Sequence, residues 1–280
     1  MKVSLIIPTY KREELLVQTL ECALKQDVTD YEILVIDQTP EHAVKTMEFL
    51  AAYAGRIKLV HLSKPSVTHA RNEGLLQATG DILVFVDDDT SFEPGFLAAH
   101  CDAHLAGADI VQGRVIEGNS RPASHPTWLS HTLKFTGGDN CDKDGITNNI
   151  TGCNFSINRK VVSTIGYFDE HFRGISVREE SDYARRAWNA GLHFFFSAQA
   201  ALFHHRSPSG GVTSGIRNAF FDESYYYCEF LFCKKHFPRW VQFLYRVRLY
   251  LRGKRMLRRL IRAAEAEAER VLQPKEKTRI

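Results

Sequence analysis

The chain has 280 residues, 44% apolar and 25% charged, with a net charge of +3. This is an ordinary soluble composition, long enough for one large α/β domain or a domain with a helical appendage. Six cysteines, at 22, 101, 141, 153, 228 and 233, form no C-x-x-C pair, which argues against a zinc site or a disulfide framework and for a reducing cytoplasm. The apolar run before Pro8 and Lys11 is too short for a signal peptide, and no segment approaches the ~20 apolar residues of a membrane span. Charge is unevenly placed. From Arg239 to Ile280 there are 13 Lys and Arg against 4 Asp and Glu, a balance of +9 that leaves −6 on residues 1–238.

Taken in chain order, Val3 to Ile7 is an apolar strand stopped by Pro8. Residues 12–25 carry Leu15, Leu16, Leu20, Ala23 and Leu24 at helical spacing. Ile33 to Ile36 is a second strand ending at Asp37, followed by a helix over about 41–54. Ile57 to Leu62 is a third strand, Val67 to Ala78 a helix ended by Thr79-Gly80, and Ile82 to Val86 a fourth strand. Strands alternating with helices at this spacing predict right-handed βαβ units and a mostly parallel sheet covered on both faces. In such sheets ligands bind beyond the carboxyl ends of the strands.

Residues 117–146 are rich in Gly, Pro, Ser, Asp and Asn and read as loops. Structure resumes near ITNNITGCNFSI. A helix follows over about 179–190, then strands near 193–196 and 200–204, an aromatic helix over 215–236 and a basic helical segment over 239–271.

The stretch ILVFVDDDT raises the chemical question. A buried strand runs into Asp87, Asp88 and Asp89, and three adjacent carboxylates repel one another unless something positive lies near. No G-x-G-x-x-G or Walker motif follows any strand. A phosphate-bearing ligand would then need a divalent cation, and hard carboxylate oxygens suit Mg²⁺ or Mn²⁺. Spacing at i, i+2 puts Asp87 and Asp89 on one side of an extended strand end and Asp88 on the other.

The order of motifs resembles the family-2 glycosyltransferases of the A-type nucleotide-sugar fold. SLIIPTYKREELLVQTL, YEILVIDQT and THARNEGLLQATGDILVFVDDD carry it in the first half. TGCNFSINRKVVSTIGYFDE, REESDYARRAWNAGL and ALFHHRSPSGG carry it in the second. It covers about residues 2–237 and implies an α/β architecture: one Rossmann-like domain with a mostly parallel central sheet, plus a C-terminal helical extension. The implied division is 1–238 for the transferase domain, 1–116 holding nucleotide and 117–238 holding acceptor, with 239–280 as the extension.

The resemblance also implies roles. Pro8, Thr9, Tyr10 and Arg12 lie where the family cradles the base. Asp37 matches the acid that accepts N3–H of uracil or thymine, as an acceptor-only carboxylate would. Arg71 matches a residue near base, ribose or phosphates. Asp87, with Asp88, falls on the nucleotide, and Asp89 on a Mn²⁺ or Mg²⁺ bridging the diphosphate, with His204 or His205 as a further ligand. Gly152, Asn154 and Asp182 fall on the acceptor side. Glu180 sits where the family has its general base, a Glu in place of the usual Asp, with Glu179 the second choice. The implied partners are a UDP- or dTDP-sugar donor and a saccharide or lipid-linked saccharide acceptor; no nucleic acid is expected, since no recognition module is visible and the basic residues are confined to one segment.

A haloacid-dehalogenase-type phosphohydrolase competes, since FVDDDTS loosely fits that family's D-x-D loop. Ser91 stands at its fifth place, however, and the loop follows the fourth strand rather than the first. A catalytically inactive binding protein is the third reading. The tail is open between two. From Arg239 to Arg262 nine basic residues and no acid accompany apolar positions at helical spacing, which suits either an anionic membrane surface or a helix packed on the body. The expected location is therefore the cytoplasm, or peripheral at the inner membrane face.

Overall fold

The computed structural model describes residues 1–207, 210–211, 222–252 and 255–273, without the side chains of 252 and 255–257. The first half follows the expected alternation. Strands β1 (Val3–Thr9), β2 (Tyr31–Asp37), β3 (Ile57–His61) and β4 (Ile82–Val86) are linked by helices α1 (Glu14–Ala23), α2 (Val44–Ala52) and α3 (Val67–Gln77). Every residue of β4 is buried, as its unbroken apolar run requires. Gly74 on α3 lets the helix approach the sheet, since a Cβ there would lie 2.4 Å from Ile6.

The elements after β4 are β5 (Thr90–Phe92), α4 (Phe96–Leu105), β6 (Ile110–Ile116), β7 (Trp128–Leu129), β8 (Phe135–Thr136), β9 (Asn154–Asn158), α5 (Lys160–Ile165), α6 (Glu179–Asn189) and β10 (Phe194–His204). The main sheet runs β3-β2-β1-β4-β9-β6-β10-β5 and is mostly parallel, with β9 and β5 antiparallel to their neighbours. Apolar clusters cover both faces. Leu5, Ile7 and Val84 pack on α1 and α4, whereas Ile6, Leu83 and Phe85 pack on α3 and α6.

The two strands expected near 193–196 and 200–204 are one strand. Its pairing with β6 slips between Ser197 and Ala201, and this bulge mimics a turn in the sequence. The aromatic helix is α7 (Glu223–His236), where Asp222 accepts the Ser224 N–H at 2.8 Å; its expected start at 215 lies outside the described residues. Tyr226 to Cys233 are all buried.

The basic segment forms α8 (Arg239–Arg252) and α9 (Arg255–Leu272). Ile261, Ala264 and Ala268, at helical spacing on α9, are fully buried in the cluster around α7. On α8, Val241 is buried while Trp240, Phe243, Leu244 and Leu251 are more than half exposed. Among the described residues no helix is long and apolar enough to cross a membrane.

Candidate active site

The carboxyl ends of β1, β2, β4, β6 and β10 meet at one edge of the sheet. Because β9 runs the other way, its amino end, with Gly152 and Cys153 just before it, joins them. Between these ends and the start of α6 lies a cleft of about 500 Å³. Pro8, Thr9, Tyr10, Arg12, Arg71, Asp87, Asp88, Asp89, Gly152, Glu179, Glu180 and His204 all line it. Backbone strain gathers here too. Of the five described non-glycine residues with positive φ, four (Lys11, Ser176, Arg178 and Arg206) belong to the loops around the cleft.

The three aspartates divide as the i, i+2 spacing predicts. Asp88 turns towards β1, where Thr9 Oγ1 donates to it at 2.7 Å and Tyr10 N–H at 3.3 Å, and Arg12 Nε lies 3.2 Å away. Burial pushes its carboxyl up to about 7. Asp87 and Asp89 point to the other side, towards His204. The His204 Nε2 lies 3.2 Å from Asp89 and 4.0 Å from Asp87, and one ligand atom from each residue falls within 4.8 Å of the others.

Two carboxylates and an imidazole form a donor set that fits a divalent cation such as Mg²⁺ or Mn²⁺. In the protein alone, cations of the chain balance the acids. Arg12 Nη2 sits 3.0 Å from Asp89, and the Ser207 N–H donates to Asp89 at 3.0 Å. Burial works against charge on His204, but its bonds to Asp89 and Glu117 and the nearby Asp87 raise it to about 9. Burial would raise Asp89, yet His204, the Ser207 N–H and Arg12 together bring it below the usual carboxylate range. The positive partners that three adjacent acids demand are thus Arg12 and His204, with Arg71 acting on Asp87.

Across the cleft, Arg178 adopts a left-handed conformation (φ 73°) at the N-cap of α6 and places Glu179 and Glu180 in the first helical turn. The two acids differ sharply. Arg71 Nη1 donates to Glu179 at 2.8 Å, a buried pair flanked by Phe155 and Phe168. Burial and the adjacent Glu180 raise Glu179 well above its ordinary value, against the pull of Arg71. Glu180 faces both the main cleft and a second cavity of about 460 Å³ beside β8 and α7. Among the described residues its Oε2, like that of Glu179, is buried with no hydrogen-bond partner, but no arginine grips its other oxygen as Arg71 grips that of Glu179. A buried acceptor aimed into a cleft is costly unless a ligand supplies the proton donor. Gly152 supports the arrangement, since its carbonyl accepts from Arg71 Nη2 at 3.3 Å and a Cβ there would lie 2.3 Å from that nitrogen.

Four expected site residues stand elsewhere. Asp37 is withdrawn from the cleft wall, which Gln38 forms instead. Its carboxylate accepts the Thr39 N–H at 2.8 Å and lies 3.2 Å from His42 and 3.7 Å from His61. Asn154 is fully buried and fills the β10 bulge, donating at 2.9 Å to the carbonyls of Ala200 and Arg114. Asp182 is buried against α7, 2.6 Å from Lys235 and 2.7 Å from His236, because two residues on from Glu180 the helix has turned by about 200°, away from the cleft. His205 points outward and meets Ser91 at 3.1 Å; alternation along an extended chain sends it to the side opposite His204.

Glu117, Asp139 and Arg206 line the cleft without having been anticipated. Glu117 lies 3.1 Å from His204 and 2.6 Å from Arg206. It follows the last residue of β6, so the carboxyl-edge rule would have found it had IVQGRVI been read as a strand. Gln112, Gly113 and Arg114 in that run hide its period.

The model of glycosyl transferase family 2 matches residues 4–166, more than half of the chain. The chain belongs to glycosyltransferase family 2. The uncharacterized glycosyltransferase EpsJ of Bacillus subtilis is 33% identical over 88 residues, 31% of this chain and only 26% of its own length. A longer match, 27% over 203 residues, is to the GalNAc(5)-diNAcBac-PP-undecaprenol beta-1,3-glucosyltransferase of Campylobacter jejuni, covering 67% of this chain and 63% of that one. Among solved structures, Staphylococcus aureus TarS 1-349 in complex with UDP-GlcNAc superposes with a TM-score of 0.62 at 20% identity, covering 84% of this chain and 66% of that chain. GalNAc-T7 with UDP, GalNAc and Mn²⁺ does so at 0.61 and 15% identity, over 84% and 55%. These likenesses show the A-type fold. Membership of the family sets aside the phosphohydrolase reading, in keeping with the aspartates' place after the fourth strand.

Proposed function

We propose that this enzyme transfers a sugar from a UDP-sugar to an acceptor hydroxyl with inversion at the anomeric carbon, in the synthesis of a polysaccharide or a lipid-linked saccharide. One observation carries the reading: a single cleft holds the Asp87–Asp89–His204 trio on one wall and the unpartnered carboxylate oxygen of Glu180 on the other. A divalent cation held by Asp87, Asp89 and His204 would neutralise the departing diphosphate. Pro8, Thr9, Tyr10 and Gln38 line the base end, and Asp87 reaches the ribose.

Glu180 accepts the proton of the acceptor hydroxyl as that oxygen attacks from the side opposite the diphosphate, which gives inversion in one displacement. Glu179, bound to Arg71, holds the guanidinium at the cleft rather than acting as the base. UDP is favoured as donor nucleotide over dTDP because both structural neighbours carry UDP or UDP-GlcNAc, and the Campylobacter relative is named for a lipid-linked acceptor.

A thermal-shift panel of nucleotides and nucleotide sugars, each with and without Mn²⁺, tests the donor side, because ligands that bind only the fold raise its Tm. UDP and one UDP-sugar should stabilise the protein only when Mn²⁺ is present, and dTDP less so. Equal stabilisation without the ion, or none by any nucleotide, would refute it.

A further inference from the structure

The exposed apolar residues of α8 are unusual for a surface helix. Trp240 and Phe243 are 55% exposed, Leu244 53% and Leu251 80%, with Val247 at the margin. At about 100° per residue these five fall within an arc of about 100°, a continuous stripe running most of a helix about 21 Å long. The opposite side of α8 is the one used by the body: Val241 is buried, and Tyr245 and Leu249 pack into the cluster around α7. The stripe is therefore not a core face left half covered.

Charge tells what covers it. Arg239 and Arg246, both exposed, border the stripe on one side, and Arg248 borders it on the other. Arg246 also stacks over Phe243 at 5.7 Å and lies 3.8 Å from Glu265 on α9. No acid occurs on α8 itself. The glutamates of α9 are paired with basic residues of the body: Glu265 and the exposed Glu269 meet Lys234, and Glu267 pairs with Arg173. A row of large apolar side chains flanked by arginines matches the boundary between acyl chains and headgroups, with the guanidinium groups reaching lipid phosphates.

We propose that α8 is a membrane-docking helix that lies in the plane of an anionic bilayer surface, with α9 clamping it to the body. The inference rests on α8 alone, so it stands or falls independently of the glycosyl-transfer reading.

Co-sedimentation of the full chain with vesicles of equimolar phosphatidylcholine and phosphatidylglycerol, against phosphatidylcholine alone, tests it. The protein should pellet with the anionic vesicles and not the neutral ones, and less as salt rises. Replacing Arg239 and Arg248 by Gln should weaken binding roughly fivefold per arginine. The double variant Phe243→Glu/Leu244→Glu should keep the wild-type Tm, since both side chains are exposed, and should lose the vesicles. Trp240 fluorescence should shift to the blue on binding in the wild type. The proposal is overturned if the full chain ignores anionic vesicles at low salt, or if the double variant pellets like the wild type. It is also overturned if light scattering finds a dimer that the double variant dissolves, which would make the stripe a self-association face.

Discussion

Asp89→Asn separates the structural work of the acidic cluster from its ligand work. As an acid ending a strand, Asp89 looks exposed in the sequence and should cost little to replace. The structure says otherwise. It is 3% exposed and lies 3.2 Å from His204 and 3.0 Å from Arg12, while accepting the Ser207 N–H at 3.0 Å. Asparagine keeps an oxygen for the Ser207 bond but removes the charge facing two cations. Hydrogen bonds to charged groups contribute roughly 1.5–3 kcal/mol each. Relief of repulsion with Asp87 and Asp88 returns part of this, so a net loss of about 2–3 kcal/mol is expected in urea denaturation without metal. Repeating the titration with Mn²⁺ isolates the second role. At a hundredfold excess over its Kd a bound ion stabilises the fold by about 2.7 kcal/mol. The wild type should show that gain and Asp89→Asn should not. If the variant keeps the whole Mn²⁺ increment, the ion binds elsewhere. Should it be as stable as wild type without metal, the Arg12–Asp89–His204 network contributes nothing.

Further outcomes follow from other parts of the molecule. Glu180→Gln keeps the shape of the side chain but cannot take a proton, so turnover should fall roughly 10²–10⁴-fold while UDP affinity measured by calorimetry is unchanged; near wild-type turnover would place the base elsewhere. His100 and His104 are buried around Ser156, and burial lowers them to about 3 and about 4. Unfolding lets each take a proton near its ordinary value, so the unfolded state binds more protons below pH ~6.5. Stability should therefore fall with acidification by up to about 1.4 kcal/mol per pH unit per histidine, down to the folded values. His104→Asn should flatten that slope in urea titrations between pH 7 and 5, and an unchanged slope would refute it. A chain cut after Pro238 loses Val241, Ile261, Ala264 and Ala268 from the α7 cluster and leaves Phe230, Phe232 and their neighbours uncovered. It should show no cooperative melting transition, whereas a wild-type melt would show that the helices contribute nothing to the core.

Legibility in the sequence followed how strongly each segment is patterned. The first four strands and three helices are readable because continuous apolar strands alternate with turn signals at βαβ spacing. α4 and β6 are not, since buried His100 and His104 interrupt one apolar face and Gln112 to Arg114 the other. The division of the aspartates was readable from strand parity alone. Asp37 was placed by motif position, and its partners, His42 and His61, come from a loop and a neighbouring strand that no local pattern connects to it. Asn154 and Asp182 were placed by motif position. Burial then decided otherwise: one fills a bulge visible only in the pairing of β6 and β10, the other faces α7.

The acid pair and the tail are tied through α7. Arg178 is held in a left-handed conformation that a side chain adopts at a cost. Its guanidinium meets Glu229 of α7 at 2.7 and 3.3 Å and lies between Phe135 and Phe232. Glu229 in turn accepts the Tyr245 hydroxyl of α8 at 2.5 Å. Four residues on, Asp182 is gripped by Lys235 and His236, and the Ile175 N–H donates to Ser224 at 3.1 Å. The turn that carries Glu179 and Glu180 is thus fixed from both sides by α7, and the far side of α7 is covered by α9. Breaking a buried pair such as Arg178–Glu229 leaves an uncompensated charge at a cost of about 3–5 kcal/mol. Among the described residues, the strained loop before α6 makes no comparable ion pair with the sheet. The helices α8 and α9, beyond the reach of the family resemblance, therefore bear through α7 on where the acids of the cleft stand.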